Sequence, residues 1–189
     1  FENTGGTVAL PATDETAAGN VRSTVTADED GYLYFTSQGG FLWCYKPNAS
    51  GEPEHQWHVK LGATSTSAPT VVKNGSTISI YTGYYSGFNA GGVQVTTYTT
   101  ATNPTNASVA TIASGFPVQC SILYSDGYVY FNTNSSSGAG YCYPASARDQ
   151  SAVRYTWRTT TRTYALGGMA CANGIIVFGN DYNELFVVK

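Results

Sequence analysis

The residues best suited to metal or acid–base chemistry are the only two histidines, His55 and His58. Side chains alternate across a strand, so two residues three positions apart on one strand are expected to point to opposite faces. Sharing a metal would require distortion, and exposed positions on an outer strand are the expectation. Asp28-Glu29-Asp30-Gly31 has the outline of an Asp-x-Asp-Gly calcium loop. The remaining ligands of such a loop are missing, and Asp30-Gly31 is already accounted for as a hairpin turn. The chain has no Gly-x-Ser-x-Gly, no Cys/His dyad and no phosphate-cradling glycine loop. No catalytic residue, metal site or cofactor is therefore expected.

Binding chemistry is better represented. The stretch Gly83-Tyr84-Tyr85-Ser86-Gly87-Phe88-Asn89-Ala90-Gly91 reads as a glycine-rich loop studded with aromatic rings. Tyrosine and phenylalanine faces are what sugars and peptide side chains stack on. Tyr84, Tyr85, Phe88 and Asn89 form the candidate ligand-binding set, with Gln38, Asn134, Asp181 and Tyr182 expected on the same rim. Two other readings of the rings stay open: contact with a neighbouring domain or subunit, or packing within the loop itself.

Composition limits the partners. Only 11% of the residues are charged, and the net charge is −3 with Lys and Arg scattered singly. A nucleic-acid surface needs a basic stripe, and there is none. No apolar run approaches the ~18 residues of a membrane helix, so no membrane insertion is expected. Nor does Phe1-Glu2-Asn3-Thr4 resemble the start of a secretion signal. Solubility carried by Ser, Thr, Asn, Gly and Tyr fits an extracellular or cell-surface β protein. Four Asn-x-Ser sequons, at Asn48, Asn74, Asn106 and Asn134, fall in expected turns.

What positions these residues is a repeat. Asp30-Gly31, Asn74-Gly75, Asp126-Gly127 and Asn173-Gly174 are each followed by a β-rich run. Such dipeptides are the strongest short-range hairpin signal, because a type I′ turn needs positive φ at both central positions. The runs are Tyr32-Leu33-Tyr34-Phe35, Thr77-Ile78-Ser79-Ile80-Tyr81, Tyr128-Val129-Tyr130-Phe131 and Ile175-Ile176-Val177-Phe178. Three of the four are apolar on both faces, as expected for a blade wedged between two others. A further strand follows each run, and a more polar outer strand follows in the first three units.

The expected fold is all-β, a four-bladed β-propeller with the N-terminal strand closing the last blade. The blade units are residues 19–61, 62–114, 115–166, and 167–189 plus 7–12, together one domain over 1–189. The hairpin glycines lie 44, 52 and 47 residues apart. From Gly174 to the end is 15 residues and from the start to Gly31 is 31, a closing interval of 46. The spare N-terminal segment Thr7-Val8-Ala9-Leu10 is accordingly expected beside Leu185-Phe186-Val187-Val188.

The pattern Asp-Gly-Tyr-Leu-Tyr-Phe, a short glycine loop, Phe-Leu-Trp-Cys-Tyr and then an outer-strand Trp resembles the repeats of quinoprotein-like (PQQ-type) β-propellers. Similar repeats accompany other surface domains in large secreted proteins of Gram-positive bacteria. The resemblance covers nearly all of the chain, is clearest in units one and three, and speaks to fold more than function. The quinone enzymes of that superfamily have about eight blades, and many have an adjacent Cys-Cys pair; here there are four repeats and no adjacent cysteines. A credible ligand set for the accompanying calcium is also missing, so quinone binding is not expected.

Cys44 and Cys142 occupy equivalent positions in units one and three, too far apart in a ring for a disulfide, which needs Cα atoms within ~7 Å. Cys120 and Cys171 fall on inner strands of adjacent units and are either a bridge or two buried thiols. Function stays divided. A non-enzymatic module binding a glycan or protein through its loop face leads. A structural spacer or assembly subunit contacting neighbouring domains comes next, then a lyase or hydrolase with a site in the central channel.

Overall fold

The structure, a computed structural model, describes residue 10 and residues 18–99, 107–112, 115–157 and 164–189. Four antiparallel sheets follow one another in chain order. The first comprises β1 (Thr26–Ala27), β2 (Leu33–Ser37), β3 (Phe41–Pro47) and β4 (Pro53–Lys60). The second comprises β5 (Thr70–Asn74), β6 (Thr77–Ser86), β7 (Ala90–Thr99) and β8 (Ser108–Ile112). The third is β9 (Leu123–Ser125), β10 (Tyr128–Asn132), β11 (Gly140–Pro144) and β12 (Tyr155–Trp157). The fourth has three strands, β13 (Ala170–Ala172), β14 (Ile175–Gly179) and β15 (Leu185–Val188).

The hairpin dipeptides do open each sheet, but through three turn geometries. Asp126-Gly127 and Asn173-Gly174 are two-residue loops with both residues at positive φ, as type I′ demands. In the second sheet Asn74 pairs with Thr77, so Gly75-Ser76 is the loop and only its first residue is left-handed. In the first, Ala27 pairs with Leu33 across a five-residue loop. Asp28 organises that loop: its carboxylate accepts the N–H groups of Asp30 and Tyr32 at 3.0 and 2.9 Å and the Tyr34 hydroxyl at 2.8 Å. Glu29 and Asp30 reach instead to Lys73 on β5, at 2.5 and 2.8 Å, joining the first sheet to the second. The acidic cluster is thus engaged in loop and inter-sheet bonds.

Alternation along the central strands feeds one apolar layer per sheet pair. Ile78 and Ile80 pack with Tyr34, Leu42, Cys44 and Trp57 of the first sheet. Tyr81, Val93 and Val95 turn the other way, onto Val129, Phe131, Tyr141 and Tyr143 of the third. Ile176 and Phe178 meet Tyr130 and Trp157 between the third and fourth. Phe41, Trp43 and Tyr45 form a fourth cluster on the outer face of the first sheet, with Leu33, Phe35, Leu10 and Ala18 against it.

The expected closing strand lies mostly outside the described residues, and the expected long loop is a hairpin. Thr7, Val8 and Ala9 lie outside the described residues, while Leu10 packs, half-buried, on the outer face of the first sheet. Among the described residues, β15 pairs with β14 alone. Residues 83–91 are not a long loop either: β6 and β7 carry the hairpin out to a turn at Gly87-Phe88-Asn89. Its glycines serve close approach rather than flexibility. A Cβ on Gly83 would stand 2.6 Å from the Val118 carbonyl oxygen, and one on Gly91 would stand 2.8 Å from the Pro117 Cα.

Candidate functional site

Alternation along β10 and β12 places Tyr128, Tyr130, Tyr155 and Trp157 on the side of the third sheet that faces the fourth. With Cys142, Arg154, Gly174, Ile176, Val188 and Lys189 they line a cavity of about 510 Å³. Tyr130 and Trp157 are stacked with centroids 6.3 Å apart, and Tyr155 stacks on Trp157 at the same separation. Tyr128 adds a fourth ring 6.4 Å from Tyr130. The Arg154 guanidinium lies 5.5 Å from the Tyr155 ring centre. Burial first, then the Cys142 thiol, pushes the Tyr130 hydroxyl up to about 12, so it stays protonated at neutral pH. Among the described residues the lining side chains offer ring faces and the positive charge of Arg154 and Lys189, with no carboxylate or imidazole side chain.

The cleft exists because the repeat is broken there. In the first sheet Tyr34 pairs with Cys44 and Cys44 with Trp57; in the third, Tyr130 pairs with Cys142 and Cys142 with Tyr155. Tyr130 and Tyr155 are therefore the counterparts of Tyr34 and Trp57. Tyr34 is fully buried and Trp57 is 7% exposed, because Tyr98 on β7 closes over them. Tyr98 meets Trp57 edge-on at 5.4 Å and shares a 2.7 Å hydroxyl–hydroxyl bond with Tyr34. In the fourth sheet Ile176 pairs with Val188 as Ile78 pairs with Tyr98, so a valine stands where the tyrosine does. With no counterpart of β8 among the described residues, Tyr155 is 55% exposed.

Four of the candidate rim residues fall at equivalent positions in successive sheets. Gln38, Tyr85, Asn134 and Asp181 take the same role in successive sheets, each donating its backbone N–H to the segment entering its own sheet. The acceptors are the carbonyls of Asn20, Thr64, Pro117 and Tyr164, at 2.9, 2.9, 2.8 and 2.9 Å. Phe88, at the hairpin tip beside the exposed Asn89, is 83% exposed, and Tyr182 is 43% exposed. Tyr84 and Tyr85 are only half-buried positions, not the open rings expected. The Tyr84 ring lies so close over Gly62 that a Cβ there would be 2.8 Å from it, and burial raises its hydroxyl pKa. None of these rim residues lines the aromatic cleft, nor the second cavity of about 610 Å³ between the second and third sheets near Lys73, Tyr81, Tyr124 and Arg148.

His55 and His58 do share a face, contrary to the alternation argument. The pairing of β3 with β4 slips between Cys44 and Tyr45: Cys44 opposes Trp57 while Tyr45 opposes His55. This bulge absorbs one residue and restores both imidazoles to one side, with His58 Nδ1 3.2 Å from His55 Nε2. Both rings rest on Trp43. Burial first and then the neighbouring His58 lower the pKa of His55. No cluster of three or more His, Cys, Asp or Glu suited to a metal occurs among the described residues.

All four cysteines are free thiols, so Cys120 and Cys171 are not bridged. Cys120 is buried, its Sγ 3.4 Å from the Asn132 carbonyl, and burial pushes its thiol up to about 11. Cys171 on β13 is half-buried, and Cys44 and Cys142 are buried on the equivalent strands β3 and β11.

The cleft rings are not among the binding residues expected from the sequence. The sequence signal that points to them is Val188, which stands in the fourth unit where the second unit has Tyr98. Comparison with known protein families finds no family model that matches the chain, and comparison with curated proteins finds no match.

Proposed function

We propose that this chain is a non-enzymatic, extracellular binding module whose four sheets are blades of a PQQ-type β-propeller. Its ligand-binding surface is the aromatic cleft between the third and fourth sheets. The observation that carries this reading is the half-open stack of Tyr130, Trp157 and Tyr155 in a cavity of about 510 Å³, sized for a small ligand or part of a larger one. Ring faces beside Arg154 suit a glycan or a protein segment, each ring contributing roughly 0.5–1.5 kcal/mol. The Phe88 tip and the Tyr182 turn are a second exposed aromatic surface, at the hairpin end.

Intrinsic fluorescence tests this, since Trp43 and Trp57 are buried and Trp157 lines the cleft. Titration with an oligosaccharide panel and an extracellular-protein array should find a binder that perturbs Trp157, with Tyr155→Ala abolishing most of the binding. A binder lost on Phe88→Ala but kept on Tyr155→Ala would move the site to the hairpin end.

One observation favours assembly as a second reading. Leu185 and Val187 on the outer face of the fourth sheet are 71% and 66% exposed. A concentration-dependent dimer in sedimentation, abolished by Leu185→Lys, would favour a structural role.

A further inference from the structure

The edge of β15 and the aromatic cleft lie side by side, and the intact part of the repeat says what belongs there. Between the first and second sheets the equivalent space is closed by Tyr98 and by the chain that runs into β8, with Ala107 packed on the same cluster. β8 is a five-residue strand that adds antiparallel to the outer edge of β7, Thr97 opposite Ser108 through Val93 opposite Ile112. The fourth sheet has the equivalent of β7 in β15, but no strand pairs with its outer edge among the described residues. An unpaired edge presents a row of backbone N–H and C=O groups ready to pair with another extended chain.

Resting on the binding-module reading above, we propose that this site accepts a β-strand. An extended segment of a partner protein adds to β15 and lays an aromatic side chain against Tyr130 and Tyr155. The chemistry of that segment follows from its neighbours. Ile176, Phe186 and Val188 face the third sheet, while Leu185 and Val187 face away. A strand continuing this sheet therefore turns alternate residues into the cleft. Tyr98 itself stands on β7, where β15 has Val188, so an aromatic residue with a hydroxyl on the added strand supplies from the neighbouring strand the ring and hydroxyl that Tyr98 gives Trp57 and Tyr34. The other residues lie beside Leu185 and Val187, where β-branched side chains fit. Arg154 and Lys189 are the charged residues of the lining, and both are cationic, so a carboxylate at one end of the segment is favoured. β15 has four residues, which a strand of about four to six residues covers at ~3.3 Å per residue.

The probe is a fluorescein-labelled peptide, Val-Tyr-Thr-Tyr-Thr-Glu, with two relatives that are N-methylated at odd or at even positions. The parent peptide is expected to bind saturably and to change Trp157 fluorescence. Tyr155→Ala should weaken it about tenfold or more, and only one of the two methylated peptides should retain binding, because a strand pairs along one edge. Hydrogen exchange should show β15 amides open in the free protein and protected in the complex. Equal binding of both methylated peptides would mean that side chains alone are recognised and would overturn strand addition. Binding of an oligosaccharide but not of the peptide would leave the cleft a binding site and sink the strand proposal. If neither disturbs Trp157, both readings fall. Protection of β15 amides already in the free protein would mean that the edge is occupied by the chain itself, and the partner strand would be abandoned.

Discussion

Replacing Tyr98 by alanine should open between the first and second sheets the gap that exists between the third and fourth. Tyr98 is 9% exposed, so its loss removes a nearly buried ring, an edge contact to Trp57 at 5.4 Å and the 2.7 Å bond to Tyr34. Truncating a buried aromatic costs roughly 3–5 kcal/mol, transfer and cavity terms together. The bond alone is a small part of that. Tyr34 keeps its 2.8 Å bond to Asp28, so Tyr98→Phe leaves no orphaned hydroxyl and should cost about 0.5–1.5 kcal/mol. At the counterpart of Trp57, by contrast, Tyr155 is 55% exposed, and Tyr155→Ala should fall within about ±0.5 kcal/mol. Urea denaturation followed by fluorescence gives the three values, and Tyr98→Ala should also red-shift Trp57 emission in the folded state. A Tyr98→Ala cost below about 1 kcal/mol would refute the reasoning, as would a Tyr155→Ala cost of similar size to Tyr98→Ala. Either result would mean that the two sheet pairs are not equivalent in the register described, and the explanation of the cleft would fail with it.

The hairpin aromatics should separate by burial: Phe88→Ala stays within about ±0.5 kcal/mol of the parent in denaturant melts. Tyr84→Ala, which strips a ring from Gly62, costs about 2 kcal/mol or more. Timed alkylation with mass mapping should label Cys171 first, while Cys44 and Cys120, buried and with thiol pKa values raised by that burial, react only on unfolding. Asp30 is held below its ordinary carboxyl value by its bond to Lys73, so its stabilisation is present above the unfolded value near 3.8 and lost as pH falls through the lowered one. Lys73→Met should therefore flatten the fall in melting temperature below about pH 4, and an unchanged acid limb would remove Asp30 from that role.

Much of this chain is legible in one dimension because its information is local. An Asp-Gly or Asn-Gly before an apolar run marks a hairpin, and the four hairpins stand where these dipeptides fall, although only Asp126-Gly127 and Asn173-Gly174 have both residues at positive φ. Doubly apolar runs likewise announce sheets covered on both faces, which holds for the first and third sheets, where Tyr34 and Phe35, and Tyr130 and Phe131, fall in separate clusters, but not for the fourth, whose Ile175, Leu185 and Val187 are exposed. Gln38, Asn134 and Asp181 also fall at equivalent positions after the second strand of their sheets, because a hairpin's end follows from its strands. What sequence could not supply was anything decided by register or by a neighbour. A one-residue bulge in β3–β4 turned His55 and His58 to the same face, since the side-chain period is two and one extra residue reverses it. The length of β6 and β7 depended on linker residues 116–118 lying against Gly83 and Gly91. The cleft is the clearest case. Tyr34 and Tyr130 have the same local pattern, and one is core while the other lines an open cleft. The difference is a tyrosine on the next sheet in one place and a valine in the other, a contact that exists only once the sheets are stacked.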